Sequence, residues 1–300
     1  LSASILTVRD LTKRFGGIVA VEDLTFSAER EQVTSLIGPN GAGKTTVFNL
    51  VTGLYAPTKG DIRFDGHGRS VSITDTIFDP FHATIVSLAS VGLGLIPLAI
   101  PSARRLLYFR PRTPDSICSV GIARTFQNIR LFNAVSVLDN VKVGLHARIR
   151  SHIVDAALRT RRHRREERDV AHAAAKYLDF VGLLHRAHDA ASELAYGEQR
   201  RLEIARALAT NPQLLLLDEP AAGMNPTETN ELIRLIARIR DAGVTVLLIE
   251  HDMKVVMGIS DRVIVLDHGR KIAEGSPSDV RRDPEVIRAY LGVSDESELS

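Results

Sequence analysis

The sequence predicts an α/β fold, a parallel β-sheet with helices on both faces, and three observations carry that reading. Val33-Thr34-Ser35-Leu36-Ile37 is a strand of the buried type, rich in β-branched residues, that runs into glycines and then a helical stretch. Leu214-Leu215-Leu216-Leu217 is wholly apolar and ends in two acids. Val244 to Ile249 and Arg262 to Leu266 are further apolar runs, and an amphipathic stretch from Thr227 to Asp241 precedes them. Apolar runs that do not alternate, separated by helices, describe strands buried on both faces of a sheet.

The remaining elements follow in chain order. Residues 5–8 and 24–28 read as short strands. Thr45 to Gly53 reads as a helix closed by its C-terminal glycine. Asp61 to Gly66 is a strand and turn. Residues 67–113 fit no element; within them Phe81 to Ala103 carries no Asp, Glu, Lys or Arg. Such a stretch approaches the length of a membrane span, but Gly92, Gly94 and Pro97 interrupt it. Residues 155–185 carry apolar residues at helical spacing, and the six arginines between Arg159 and Arg168 read as a solvated face. Arg200 to Ala209 is helical, and Leu232, Ile233, Leu235, Ile236 and Ile239 share one side of the helix at 227–241, which Gly243 stops.

Composition bounds the function. Lys plus Arg is 38 and Asp plus Glu is 36, so the net charge of +2 gives no reason to expect nucleic acid as a partner. The single cysteine, Cys118, excludes an internal disulfide and any multi-cysteine metal site. The first residues show no basic region followed by a long apolar run, so a reducing, cytoplasmic setting is expected.

Gly38-Pro39-Asn40-Gly41-Ala42-Gly43-Lys44-Thr45 fits G-x-x-x-x-G-K-[ST] between a predicted strand and a predicted helix. Glycines let backbone N–H groups turn inward around phosphate oxygens, and the helix points its positive end at the same anion. Lys44 would meet the β/γ oxygens, the Thr45 hydroxyl would coordinate Mg²⁺, and Thr46 would face the same phosphates. The bland alternative is a glycine-rich turn with a surface lysine. At the end of the leucine run, Asp218 can hold Mg²⁺ through water and Glu219 can orient the attacking water. The alternative there is an ordinary strand end with a helix-capping Asp. His251, after the strand ending at Ile249, could bond a γ-phosphate or be structural.

At this point the residues carry a family. The chain resembles the nucleotide-binding subunit of ABC transporters over nearly its whole length except 67–113. Gln127, in Thr125-Phe126-Gln127-Asn128, matches the Q-loop glutamine, which in the family contacts Mg²⁺ and senses the membrane partner. Leu194-Ala195-Tyr196-Gly197-Glu198-Gln199 lies where the L-S-G-G-Q signature belongs. Gly223-Met224-Asn225 fits the D-loop, His251 the switch histidine, and Phe15 the aromatic that stacks on adenine. Bland readings stay open for Phe15 as a core aromatic and for Gln127 as a loop residue. The signature departs from the family: Ala195 replaces its serine, Tyr196 its first glycine and Glu198 its glutamine, so a trans contact would rest on backbone N–H groups.

The resemblance implies a P-loop NTPase fold with a RecA-like parallel core, a small antiparallel β-subdomain and a helical subdomain. It implies one domain over 1–300. In that layout 1–66 and 200–275 form the core with the β-subdomain, 67–113 an atypical apolar insertion, 128–199 the helical subdomain and 276–300 a tail. It also implies ATP and Mg²⁺, a second ATPase subunit in a homo- or heterodimer, permease subunits, and indirectly a periplasmic or extracellular binding protein. The expected place is the cytoplasmic face of the inner or plasma membrane. L-A-Y-G-x-Q, Gly121 to Phe132, Ile249 to Met257 and Ala289-Tyr290-Leu291-Gly292 resemble branched-chain amino-acid importers, and this chain looks like the longer of their two ATPases. Urea or amide importers and lipopolysaccharide export remain alternatives, as does a soluble, non-transport ABC ATPase. A P-loop kinase would need neither the signature nor His251.

Overall fold

The structure is a computed structural model and describes residues 4–74, 114–146 and 161–291. The apolar stretch Phe81 to Ala103 and most of the expected insertion lie outside the described residues.

Two sheets organise the chain. The first is antiparallel: β1 (Ser4–Phe15), β2 (Ile18–Glu29), β4 (Lys59–Gly66) and β5 (Arg69–Ser72), in the order β2-β1-β4-β5. The second has six strands in the order β10-β9-β3-β8-β7-β6. These are β3 (Val33–Ile37), β6 (Ile122–Arg124), β7 (Leu214–Asp218), β8 (Thr245–Ile249), β9 (Arg262–Asp267) and β10 (Arg270–Gly275). β6, β7, β8, β3 and β9 run parallel, and β10 turns back along β9 as an antiparallel edge. All five residues of β3, β7 and β8 are buried, as their unalternating sequences require.

The α/β expectation holds, and the structure corrects several bounds. β1 and β2 are 12 residues each, longer than the short runs at 5–8 and 24–28. Their alternation is broken by irregular register and by positive φ at Asp10 (47°) and Asp23 (44°), which hides the outer halves from a periodicity argument. Residues 67–74 are not part of an unplaced insertion. β5 pairs with β4, Ile73 is buried, and the Thr74 hydroxyl accepts the Ile62 N–H at 3.0 Å. The helix expected from Arg200 begins at Tyr196.

Helix α1 (Lys44–Val51) follows β3 and buries Val47, Phe48, Leu50 and Val51 between the two sheets. α2 (Pro114–Val120) leads into β6. α3 (Val137–Leu145), α4 (Arg161–Phe180) and α5 (Tyr196–Ala209) form a helical layer whose core includes Val137, Val141, Ala174, Leu178, Leu202 and Ala205. Ser136 caps α3 by accepting the Asp139 N–H. α6 (Pro226–Asp241) has a complete capping box between Asn225 and Glu228, and buries Leu232, Leu235, Ile236 and Ile239. α7 (Met253–Ile259), α8 (Pro277–Val280) and α9 (Pro284–Leu291) complete the chain; Val280 and Val286 pack with Ile37, Val263 and Val265. Among the described residues, no helix is long and apolar enough to cross a membrane.

Candidate active site

The carboxyl ends of β3, β7, β8 and β6 deliver the phosphate loop, Asp218-Glu219, Glu250-His251 and Thr125-Phe126-Gln127 to one edge of the parallel sheet. That edge is where open α/β sheets bind ligands.

The phosphate loop is held from both sides. Gly269 N–H donates to the Ala42 carbonyl at 3.1 Å, and Glu22 N–H donates to the Gly269 carbonyl at 2.8 Å. Gly43, at φ 98°, has the Ala20 carbonyl where a Cβ would stand, so only glycine fits. Lys44 is 7 % exposed and its Nζ donates to the carbonyls of Gly38 (2.7 Å) and Pro39 (2.9 Å). Burial lowers its pKa, while Glu219 and Asp218 oppose that shift. Thr45 and Asn40 are exposed, and Pro39 and Thr46 partly so, at the start of α1.

Glu219 follows β7 with φ 45°, a left-handed backbone that costs a non-glycine residue energy and concentrates at functional sites. Its N–H donates to the Ile249 carbonyl at 2.9 Å, which fixes the turn against β8. Its Oε2 accepts from Gln127 Nε2 at 2.9 Å and lies 3.7 Å from His251 Nδ1. The three residues expected to be catalytic therefore converge on one carboxylate oxygen. Asp218 is 3 % exposed and its Oδ2 accepts from Arg124 Nη2 at 2.8 Å.

The signature residues open α5. Ala195 has the extended backbone of an N-cap but no side-chain acceptor, so only the reverse half of a capping box forms: Ala195 N–H donates to Glu198 Oε2 at 3.1 Å. Glu198, a departure from the expected glutamine, thus supports the helix start. Gly197 is buried with the Glu228 carboxylate 2.7 Å from where a Cβ would stand. Tyr196 is 43 % exposed, with Gly223 of the D-loop beside its ring. Gly197 and Glu198 border a small pocket with Met224, Arg201 and Glu228 that no phosphate-loop residue lines. Phe15 is 42 % exposed and meets Tyr55 edge-on at 5.2 Å, with Lys13 Nζ 4.7 Å from its ring centre. It is a rim residue, not a core aromatic.

Sequence reasoning missed the buried charges beneath these groups. Arg200 Nη1 donates to Glu203 Oε2 at 2.8 Å and to the Phe126 carbonyl at 2.7 Å, and Nη2 donates to the Gln127 carbonyl at 2.8 Å. Burial raises the Glu203 pKa against the pull of Arg200. Glu250 accepts the N–H groups of Ala221 (2.8 Å) and His251 (3.2 Å), and burial raises its pKa too. The available signal was charge beside otherwise apolar strands and helix faces, at Arg124, Glu203 and Glu250.

Comparison with known proteins gives the family of the chain. The ABC transporter family matches residues 21–88 and 109–222, and the branched-chain amino acid ATP-binding cassette transporter family matches 270–296. The high-affinity branched-chain amino acid transport ATP-binding protein of Pseudomonas aeruginosa is 43 % identical, over 97 % of this chain and 99 % of that one. Its counterpart in Escherichia coli is 42 % identical over the same shares. A nucleotide-free ATP-binding cassette of an ABC transporter superposes with a TM-score of 0.72 at 26 % identity, covering 97 % of this chain and all of the other. A second such cassette, in its ADP conformation, gives 0.72 at 27 % identity, over 96 % of this chain and 99 % of the other. With more than half of its residues in the first family and relatives of this identity along nearly its full length, the chain belongs to the ABC transporter ATP-binding family and is an ABC-type ATPase.

Proposed function

We propose that this ATPase powers the import of branched-chain amino acids. The observation that carries this reading is identity above 40 % over 97 % of the chain to proteins named for that transport, supported by the match at residues 270–296.

The site residues take the following roles. Lys44 exchanges the carbonyls of Gly38 and Pro39 for phosphate oxygens, and the loop N–H groups from Gly38 to Thr46 cradle the rest. Phe15, with one side engaged by Tyr55, offers a face to adenine. The Thr45 hydroxyl, the Asp218 carboxylate and the Gln127 amide oxygen are hard oxygen donors of the kind Mg²⁺ takes, and these residues would hold it. Mg²⁺ would supply charge neutralisation on the phosphates. Glu219 orients water and draws its proton, and His251 and Gln127, both against Glu219 Oε2, fix its direction.

The signature turn, Ala195 to Glu198, opens α5, and its Gly197 and Glu198 border a pocket that no phosphate-loop residue lines, which suits nucleotide bound by a second ATPase subunit. That partner, a copy of this chain or a different ATPase, completes each site. The assembly sits peripherally on permease subunits at the cytoplasmic face of the membrane and is fed by a substrate-binding protein. Deleting the gene should reduce leucine uptake at low external concentration. Unchanged leucine uptake with lost urea or amide uptake would reassign the substrate and leave the ATPase reading intact.

A further inference from the structure

Arg124 closes β6 three positions before Gln127, and its side chain is 8 % exposed. Its Nη2 donates to Asp218 Oδ2 at 2.8 Å, and its Nη1 donates to Asn49 Oδ1 at 2.7 Å and Thr52 Oγ1 at 3.2 Å. Asn49 lies in α1 and Thr52 is its C-cap. The guanidinium carbon is 5.5 Å from the Phe48 ring centre and 5.4 Å from that of Phe126. One planar group therefore joins the helix after the phosphate loop, the acidic strand end and the root of the Gln127 loop.

Stability alone does not account for this pair. Two buried charges return little beyond their desolvation cost, and the Arg124 Nε–H is buried with no acceptor. The return is direction. A fork held at three acceptors and close to two rings has little freedom, and it passes that order to the Asp218 carboxylate. It engages one carboxylate oxygen and leaves the other for a metal.

We propose that Arg124 is a positioning residue that fixes Asp218 for Mg²⁺ before the ion arrives and ties that carboxylate to α1. The proposal rests on the reading above that Asp218 holds Mg²⁺. Losing Arg124 removes a repelling charge, which favours the cation, and frees the carboxylate, which disfavours it. The three-point hold makes the second effect the larger one. Arg124→Lys keeps the charge but cannot span all three acceptors, so it separates position from charge.

The test uses the full chain with Mn²⁺, a spectroscopically visible substitute for Mg²⁺, titrated in the presence of a non-hydrolysable ATP analogue. A fluorescent ATP analogue in EDTA reports metal-free nucleotide binding, and thermal unfolding reports the fold. Arg124→Lys and Arg124→Gln should each raise the Mn²⁺ half-saturation at least about fivefold, a loss of about 1 kcal/mol, and leave metal-free nucleotide affinity within about twofold. Unchanged or tighter Mn²⁺ binding in a folded Arg124→Lys protein overturns the proposal, even if Arg124→Gln does not fold. Asp218→Asn is the control. If it leaves Mn²⁺ binding unchanged, the assignment of Asp218 to the metal fails and this proposal falls with it. If only the Arg124 variants leave it unchanged, the metal assignment stands alone.

Discussion

The Arg200–Glu203 pair allows stability and catalysis to be separated in one protein. Both side chains are fully buried, at 0 % and 2 % exposure, and they meet at 2.8 Å. Arg200→Met strands the Glu203 carboxylate and leaves the Phe126 and Gln127 carbonyls without the donors that now bind them. Breaking a buried pair by removing one partner costs about 3–5 kcal/mol. At roughly 2 °C per kcal/mol for a chain of this size, the unfolding midpoint should fall by roughly 8 °C. Adding Glu203→Leu removes the stranded charge, and replacing both members of such a pair with apolar side chains is often close to neutral. Part of the lost midpoint should therefore return in the double variant, the rest staying lost because the Phe126 N–H and the two carbonyls still lack partners. Activity should not return with it, because the two carbonyls that hold the Gln127 loop still lack their donors, so Gln127 is no longer fixed against Glu219. The assay pairs thermal unfolding with steady-state ATP hydrolysis for the single and double variants. A double variant no more stable than Arg200→Met would show that the stranded carboxylate was not the cost. A double variant with full activity would show that Arg200 does not hold the loop.

Other outcomes follow from the same geometry. Glu219→Gln should keep ATP binding and lower hydrolysis at least about tenfold, measured as phosphate release; ordinary turnover would misplace the catalytic acid. Lys44→Ala should weaken nucleotide binding itself by at least about tenfold in a direct titration, since the lost charge faces the phosphates. Burial raises the Glu250 carboxyl above its ordinary value of 4.5. The folded protein then binds a proton there that the unfolded chain releases, a contribution present below 4.5 and lost as pH rises through the raised value. The parent's midpoint minus that of Glu250→Gln should accordingly fall as pH rises from the acid side toward neutral, and a rise of that signed difference would contradict it. Replacing residues 76–112 with a short Gly-Ser linker should keep ATP hydrolysis in the isolated protein; loss of ATP binding would place that segment in the nucleotide site or its core.

The parts of the site legible in the sequence are those whose chemistry is contiguous. The phosphate loop, Asp218-Glu219 and His251 each follow an apolar run that announces a strand end. The parallel core was equally plain, because β3, β7 and β8 are buried on both faces. The edges were not. β5 and β10 are short and polar, as edge strands facing water are, and β6 is three residues long. Arg124 and Arg200 were invisible for a different reason. Their meaning lies in partners 94 and 73 positions away, and one sequence shows a charge without showing what it is buried against.

The segment after β6 is anchored at two points by two helices of the helical layer. At its start, the Phe126 and Gln127 carbonyls are bonded by Arg200 of α5. At its far end, buried Asn140 of α3 accepts the Phe132 N–H at 2.9 Å and donates to the Phe132 carbonyl at 3.0 Å. Only residues 128–131 lie between the clasps, a reach of about 14 Å when fully extended. A tether that short has little slack to absorb displacement. Were the helical layer, which holds both clasps, to shift against the parallel sheet, the displacement would reach Gln127, and through its amide Glu219, instead of dissipating in a loose loop. The linkage is mechanical, with its throw set by four residues.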